Sequence, residues 1–579
     1  MPKVMEKRWV IKEAPEKEKV KELAITLQMD EKLAYLLVQR GILDYENARR
    51  FFRPSLSDLH HPMLMQDMDK AVNRITRAIE QGENILVYGD YDVDGTTAVA
   101  VMYTFLSGFY DKVAYYIPDR YKEGYGISTT GIDFANDNGF SLIIALDCGI
   151  KSNDKVDYAL EKNIDFIICD HHLPGEKIPA AAAVLDPKRK DCAYPYKELS
   201  GCGIGFKLCQ ALCYQLNRQP EEIFSLIDLA AISIAADIVP ITGENRTLCY
   251  LGLEKINEKP SPGIAAILKV ASKQPPLTVS DLVFIIAPRI NAAGRMESGR
   301  NAVDLMISSD DHLAFESGKL LDSHNADRKN LDKEITREAL QIISSDEKMM
   351  KAKTTVLWSE NWHKGVIGIV ASRLTETYYR PTILFTLSNG VLTGSARSVR
   401  EFDVHEAISS CSEFLIQFGG HKYAAGITLH PENFDSFRNR FEEVVASTIT
   451  EELLIPSVEI DEEIKLTDIK SNPAEDLPKF ARILKQFGPF GPGNMNPVFL
   501  IRNVKDTGYV KIVGENHLKF TVFSDENPAI KIPCIGFGLG EYLPGITNGK
   551  IFDIACCLEE NTWNDRTTVQ LVVKDIKLH

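Results

Sequence analysis

Four acidic stations, each placed where an apolar run stops, constrain this chain most: GDYDVDG with Asp90, Asp92 and Asp94, LDCG with Asp147, DHH with Asp170, His171 and His172, and AADIVP with Asp237. The first three follow short β-rich runs, 85–88, 142–146 and 166–169, with helical spacing between them. Strands of that kind predict a parallel sheet with both faces buried. Ligand sites in such sheets form at the carboxyl ends of the strands. Carboxylates gathered at one sheet edge repel one another and take up protons unless cations are bound among them. Hard oxygen ligands with one or two imidazoles suit Mn²⁺ or Mg²⁺ rather than a thiolate zinc site.

Within ILVYGDYDVDGTTAVAVMYTFL a strand ends, aspartates occupy every second position and a helix begins at the threonines. Alternation along an extended segment predicts Asp90, Asp92 and Asp94 on one side, with Gly95 turning the backbone and Thr96 capping the helix. Asp147 directly follows LIIAL, beside the small Cys148 and Gly149, and its two oxygens could be shared between two metals. In CDHHL the adjacent imidazoles project to opposite sides, which predicts different tasks for His171 and His172. One ring can ligate metal. The other can contact substrate or protonate a leaving oxygen, with Asp170 orienting an imidazole. Asp237 closes the apolar run LIDLAAISIAAD and reads either as a helix-end residue or as a further ligand. The pattern is that of a two-metal phosphoesterase.

Composition limits the alternatives. At 579 residues the chain is too long for one core, and several domains are expected. Hydrophobic residues at 44% and charged residues at 25% fit a soluble globular protein. No apolar stretch reaches the length of a membrane span, and the N-terminus lacks a signal-peptide core. The 11 cysteines are scattered without paired C-x-x-C motifs, so a reduced cytoplasmic setting without structural zinc is the expectation. A net charge of −15 opposes a generally basic nucleic-acid binder, so any DNA groove must be a local basic track.

The patterning predicts an α/β architecture in five parts: a helical segment at 1–70, a parallel-sheet body at 71–309, a connector helix at 310–345, a smaller α/β domain at 346–452 and an all-β barrel at 453–579. In the first, DEKLAYLLVQRG and DYENARRFFRPS read as helices ending at Gly41 and near Pro54. In the fourth, TTVLWS and PTILFTL read as strands and HKGVIGIVASRLTETYY as a helix. Alternating segments such as HLKFTVF and TTVQLVVKDIKL carry the last.

Taken in order, these motifs resemble the DHH phosphoesterase superfamily, and within it the exonucleases specific for single-stranded DNA. PDRYKEGYG, LSGCGIGFKL and APRINAAGRM add to the resemblance in the body; WHKGVIGIVASRL, GSARS and FGGHKYAAG carry it in the second lobe, and FGPFGPGNMNPVF where an oligonucleotide-binding (OB) barrel would begin. The resemblance implies two Mn²⁺ or Mg²⁺ ions held by Asp92, Asp94, Asp147, His171 and Asp237, with Asp147 shared and Asp90 in or just behind the ligand shell. His172 would face the scissile phosphate. Arg120 and Tyr125 would line the substrate channel, with Tyr125 able to stack on a base, and Arg289 and Arg295 nearby. Ser395, Arg397 and His421 would hold the terminal phosphate, Gly419 and Gly420 would allow backbone approach, and His363 would face the same cleft. The implied activity is metal-dependent removal of mononucleotides from the 5′ end of single-stranded DNA in recombination and repair, beside a helicase and a single-strand-binding protein.

Overall fold

The structure, a computed structural model, describes residues 6–579 and divides into two compact units. One comprises residues 40–326 and 486–496; the other comprises residues up to Gln39, 327–485 and 497–579. The segment 1–70, read from sequence as one helical piece, therefore belongs partly to each. Its helices Glu31–Gln39 and Tyr45–Phe52 form as expected. Before them lies a strand that the helical reading missed, β1 (Arg8–Ile11), because four residues are too few to show a period.

The first unit is built on β2 (Asn84–Gly89), β3 (Val113–Tyr116), β4 (Phe140–Leu146), β5 (Asp165–Cys169) and β6 (Ala183–Leu185). These form a parallel sheet in the order β3-β2-β4-β5-β6. Alternate residues feed two cores. Ile85, Val87, Leu142, Ile144, Leu146 and Ile167 pack on one face; Leu86, Tyr88, Ile143, Ala145, Phe166 and Ile168 pack on the other. Burial on both faces is why these strands read as continuous apolar runs. The helices Val93–Ser107, Gly201–Gln215 and Ile227–Ala236 complete the first core.

A buried guanidinium fastens the 486–496 segment to this unit. Arg246 donates to the carbonyls of Phe51 (2.8 Å), Phe487 (3.0 Å) and Gly488 (2.7 Å). Carbonyl acceptors meet its hydrogen-bonding demand without a carboxylate.

In the second unit, β7 (Thr355–Trp358), β8 (Thr382–Ser388), β9 (Val391–Arg397), β10 (Leu415–His421) and β11 (Ala424–Leu429) make a mixed sheet in the order β10-β11-β9-β8-β7. Phe385, Ile383 and Leu392 pack against Phe437 and Phe441 on one face, and Leu357 and Leu384 pack against Val370 and Leu374 on the other. β1 pairs in parallel with β12 (Ser457–Ile460). The expected barrel then follows: β13 (Glu462–Glu463), β14 (Phe499–Asp506), β15 (Lys511–Val513), β16 (His517–Ser524), β17 (Asn527–Gly536), β18 (Phe552–Trp563) and β19 (Arg566–Leu578). Its order is β13-β14-β18-β19-β17-β16-β15, and a second pairing of β14 with β16 curls the sheet back on itself. Asn564 and Asp565, at φ of 48° and 59°, make the tight turn of the β18–β19 hairpin. The expected connector forms as one helix, Asp311–Ser345, with the unit boundary falling at 326/327.

Candidate metal centre

Asp90 leaves the end of β2, where the chain turns so tightly that a Cβ on Gly95 would stand 2.4 Å from the Asp90 carbonyl oxygen. Only glycine fits there. The next helix starts earlier than expected, at Val93 rather than at the threonines. Asp92 is its N-cap and accepts from the Gly95 N–H at 3.1 Å; Thr96 donates back to the Asp92 carbonyl at 2.5 Å and caps nothing. The three aspartates therefore do not share one side of an extended segment. They come from a strand end, a cap and a first helical turn, because an aspartate cap outcompetes a threonine four residues on.

Asp94 is held in place from outside its own helix. Its oxygens accept from the Gly201 and Cys202 amides and from the Ser233 hydroxyl, each at 2.7 Å. The amides are the orphan donors at the start of the helix Gly201–Gln215. Asp147 lies beyond β4 with φ of 60°, a left-handed conformation uncommon for a residue with a side chain. Its N–H donates to Cys169 at 2.8 Å, and a Cβ on Gly201 would lie 2.6 Å from its own Cβ.

His171 draws the stations together. Its Nε2 lies 3.2 Å from Asp147, 3.5 Å from Asp237 and 3.8 Å from Asp94. Asp237 is indeed a helix-end residue, but the end it occupies faces this cluster. Two triads emerge, Asp90 with Asp92 and Asp147, and Asp94 with His171 and Asp237; within each, the donor atoms lie within 4.8 Å of one another. Asp147 also groups with His171 and His172. Asp90 thus offers an oxygen to the first of these groups.

The electrostatics fit cations. Both Asp90 oxygens, Asp147 Oδ1 and both His171 ring nitrogens are buried without a well-formed hydrogen bond. Burial raises the carboxyl of Asp90 with help from Asp92, and that of Asp147 with help from Asp94 and Asp92. Asp237 is pushed up to about 9 by burial, then by Asp94 and Asp92. Burial also pushes His171 down, towards the neutral imidazole that ligates metal. Such a set of orphaned, mutually repelling donors is what divalent cations neutralise.

His172 turns the other way. Its Nδ1 lies 2.8 Å from Asp170, and its Nε2 is 3.2 Å from the Tyr125 hydroxyl. The Tyr125 ring is exposed, but its hydroxyl is engaged with His172 and, at 3.4 Å, with the Asp147 carbonyl. Arg120 lies over the Tyr91 ring at 4.9 Å, and its charge bears on Asp90. Arg295 ends the helix Ala287–Met296, which Gly294 brings against Tyr91, where a Cβ would meet the Tyr91 carbonyl at 2.6 Å. Arg289 is not brought into this cluster: its guanidinium forks onto Asp322 at 2.9 and 2.8 Å.

Of the residues expected from the second lobe, Ser395, Arg397, Gly419 and His421 alternate onto one face of the sheet within their own unit. Register aligns Ser395 with Gly426 and Gly419, and Arg397 with Ala424 and His421. Arg397 donates to Ser395 at 3.0 Å and to Ser372 at 3.1 Å. A Cβ on Gly368 would come 2.9 Å from Ser395 Oγ, so the helix Ile367–Tyr378 presses close to this pair. Gly420, at φ of 148°, is required by its own hairpin, where a Cβ would meet the Ala424 carbonyl at 2.3 Å. Gly419 alone faces open space. His363 Nδ1 accepts from the Gly365 amide at 3.1 Å, in the turn before the helix.

One carboxylate escaped the sequence reading. Asp186 directly follows β6, is fully buried, and has one oxygen on the Lys188 amide at 2.7 Å and the other without a partner. Its signal was the same as that of the other stations, an aspartate closing AAAVL, but it lacked a flanking motif.

A doubly covered parallel sheet whose strand ends converge on an acidic, histidine-bearing centre defines a DHH-type protein. Residues 84–234 match the DHH family N-terminal domain, 334–447 the DHHA1 domain and 460–575 the RecJ OB domain. A Bacillus subtilis protein named single-stranded-DNA-specific exonuclease RecJ is 37% identical over 572 residues, covering 98% of this chain and 70% of that protein. Thermus thermophilus RecJ, solved in complex with Mn²⁺, matches with a TM-score of 0.83 at 26% identity, over 98% of this chain and 79% of that one. The Mg²⁺ complex of the same protein matches at 0.76 and 25% identity, over 98% and 78%. The chain belongs to the RecJ family.

Proposed function

We propose that this protein is a metal-dependent exonuclease that removes mononucleotides from the 5′ end of single-stranded DNA. The observation that carries the reading is the pair of carboxylate–histidine triads with buried, partnerless donors at the strand ends. Relatives named single-stranded-DNA-specific exonuclease, one of them solved with Mn²⁺ and with Mg²⁺, support it.

Asp90, Asp92 and Asp147 would hold one divalent cation, and Asp94, His171 and Asp237 the other, with Asp147 positioned to reach both. Bound there, the two ions supply Lewis acidity and lower the pKa of water at neutral pH. The chain's own groups do the rest. Burial works against a proton on His172, but the hydrogen bond and charge of Asp170 outweigh it and raise its pKa, which favours donation to a phosphoryl or leaving oxygen. Tyr125 holds that ring through Nε2 until substrate displaces it. Arg120, stacked on Tyr91, offers a fork for phosphate oxygens on the Asp90 side, with Arg295 beside it. Ser395, Arg397 and His421 share the sheet face that would take the terminal phosphate, with Gly419 open to backbone approach and His363 as a further contact. Arg289 would act through Asp322 rather than on substrate. The barrel would hold the strand downstream by phosphate contacts and stacking.

A role in recombination and repair, beside a helicase and a single-strand-binding protein in the cytoplasm, completes the proposal. It is supported by the family and by 11 buried, unpaired cysteines. Among the described residues no helix is long and apolar enough to cross a membrane. Digestion of a single-stranded oligonucleotide labelled at either end, with Mn²⁺, Mg²⁺ or EDTA, tests the reading. Mononucleotides released from the 5′ end only with metal are expected; cleavage in EDTA, or from the 3′ end, would refute it.

A further inference from the structure

Three consecutive basic residues, Lys188, Arg189 and Lys190, follow β6 at the carboxyl edge of the parallel sheet. Their environments differ sharply. Arg189 is buried and consumed by Asp67 at 2.6 Å, Asp191 at 2.6 Å and the Val184 carbonyl at 2.5 Å, so it is a structural clamp. Lys190 is exposed. Lys188 is neither. Its side chain is only 19% accessible, its backbone N–H is fixed by the buried Asp186, and its ammonium lies 3.3 Å from Glu198.

Both anchors place that ammonium beside the centre. Register sets the end of β6 next to the end of β5: Cys169 pairs with Leu185, and the Asp170 N–H donates to Leu185 at 3.0 Å. Asp186 therefore flanks Asp170, and Lys188 lies two residues beyond. Glu198 lies three residues before Gly201, whose amide binds Asp94 and where a Cβ would meet Asp147. The ammonium is thus caught between the two backbone segments that bound the Asp94–His171–Asp237 side.

We propose that Lys188 is a substrate contact that leaves Glu198 to bind the scissile phosphate on the His171–Asp237 side, opposite Arg120. The assignment rests on the exonuclease reading and adds to it a second cation. The placement agrees: Lys188 is near enough for its charge to act on Asp237 and His171, as that of Arg120 acts on Asp90. Each triad then has basic character at its rim. The Glu198 pair suits a releasable tether, because Glu198 is 44% exposed and an ion pair in water is weak. A phosphate group would offer the ammonium a stronger partner.

The test compares Lys188→Ala, Lys188→Arg and Glu198→Gln in the full chain, reading kcat/KM on single-stranded DNA, Mn²⁺ affinity of the apoprotein by calorimetry, and thermal midpoint. Lys188→Ala is expected to lose about 10- to 100-fold in kcat/KM. Its Mn²⁺ affinity should be unchanged or tighter, since a cation has been removed from beside the ligands, and its midpoint should be unchanged. Lys188→Arg should recover most of the loss, and Glu198→Gln, which frees the ammonium, should not lower kcat/KM. Wild-type kcat/KM in Lys188→Ala would overturn the assignment, and so would weaker Mn²⁺ binding in parallel with lost turnover. If the wild-type chain itself left DNA intact, the exonuclease reading would fail, whereas an active wild type with an indifferent Lys188→Ala would remove only this proposal.

Discussion

The imidazole Nδ1 of His172 lies 2.8 Å from Asp170 Oδ1, and that same oxygen accepts the backbone amides of His171 (2.8 Å) and His172 (3.1 Å). Burial works against the charged Asp170, yet the hydrogen bond and charge of His172, with the Ile150 amide, hold its carboxyl down at about 2. His172 is raised in return. Asp170 fixes both the ring and the two-residue backbone from which the rings diverge.

Asp170→Asn should therefore lower kcat by about 100-fold, and removal of His172 by a similar factor. Because the two act as one unit, the double variant should be little worse than His172→Ala alone. The pH profile adds a signed readout. Losing the anion lowers the pKa of His172, so the activity limb that needs its proton should move to lower pH in Asp170→Asn. Additive losses, or an unmoved limb, would contradict the coupling.

Gly201→Ala tests how closely the helix start is fitted to Asp147. A methyl there would lie 2.6 Å from Asp147 Cβ and 2.7 Å from its Oδ1, and neither backbone can retreat, since the Gly201 amide is fixed on Asp94. Overpacking of this kind costs about 1–3 kcal/mol. The larger effect should fall on the metals: Mn²⁺ affinity is expected to drop at least tenfold, measured by calorimetry. Unaltered affinity would mean that Asp147 can move without consequence.

Much of this centre could be read from the sequence, because carboxylates after apolar runs are unusual and their order is characteristic. What could not be read is how they converge. Alternation along an extended strand was a plausible route for Asp90, Asp92 and Asp94, but the helix begins three residues after Asp90, and Asp94 is positioned by Gly201 and Ser233, more than a hundred residues away. Local pattern cannot show a partner so distant. The arginines illustrate the same limit: Arg120 and Arg289 carry equal charge in the sequence, yet Asp322 claims only the second.

Metal removal should change stability in a pH-dependent way. Asp237, raised to about 9, keeps its proton in the metal-free fold and releases it on unfolding, where its pKa returns to about 4. That contribution is present at low pH and is lost as pH rises towards 9, so the metal-free protein should weaken as pH rises through this range. Mn²⁺ displaces the proton and binds more tightly as pH rises. The stabilisation by millimolar Mn²⁺ over EDTA, followed as a gain in thermal midpoint, should therefore be larger at pH 8.5 than at pH 6, and amounts to about 2.7 kcal/mol where the ion is at 100 times its Kd. An equal gain at both pH values would show that these carboxylates carry no protons without metal.

A second raised acid, in the other unit, allows the same physics to be tested alone. Glu462, in the two-residue strand β13, is pushed up to about 7 by burial, although Lys32 lies 3.0 Å from one oxygen; the other oxygen has no partner. Its folded pKa is above its unfolded value of about 4.3, so its contribution to stability is complete below pH 4 and is lost as pH climbs to 7. Glu462→Gln removes the titration and keeps the shape. Its stability relative to wild type should rise between pH 5 and pH 8 by roughly 2 kcal/mol, measured by urea unfolding at the two pH values. A difference that stayed constant, or shrank with rising pH, would mean that the Lys32 pair outweighs burial and that Glu462 is ionised throughout.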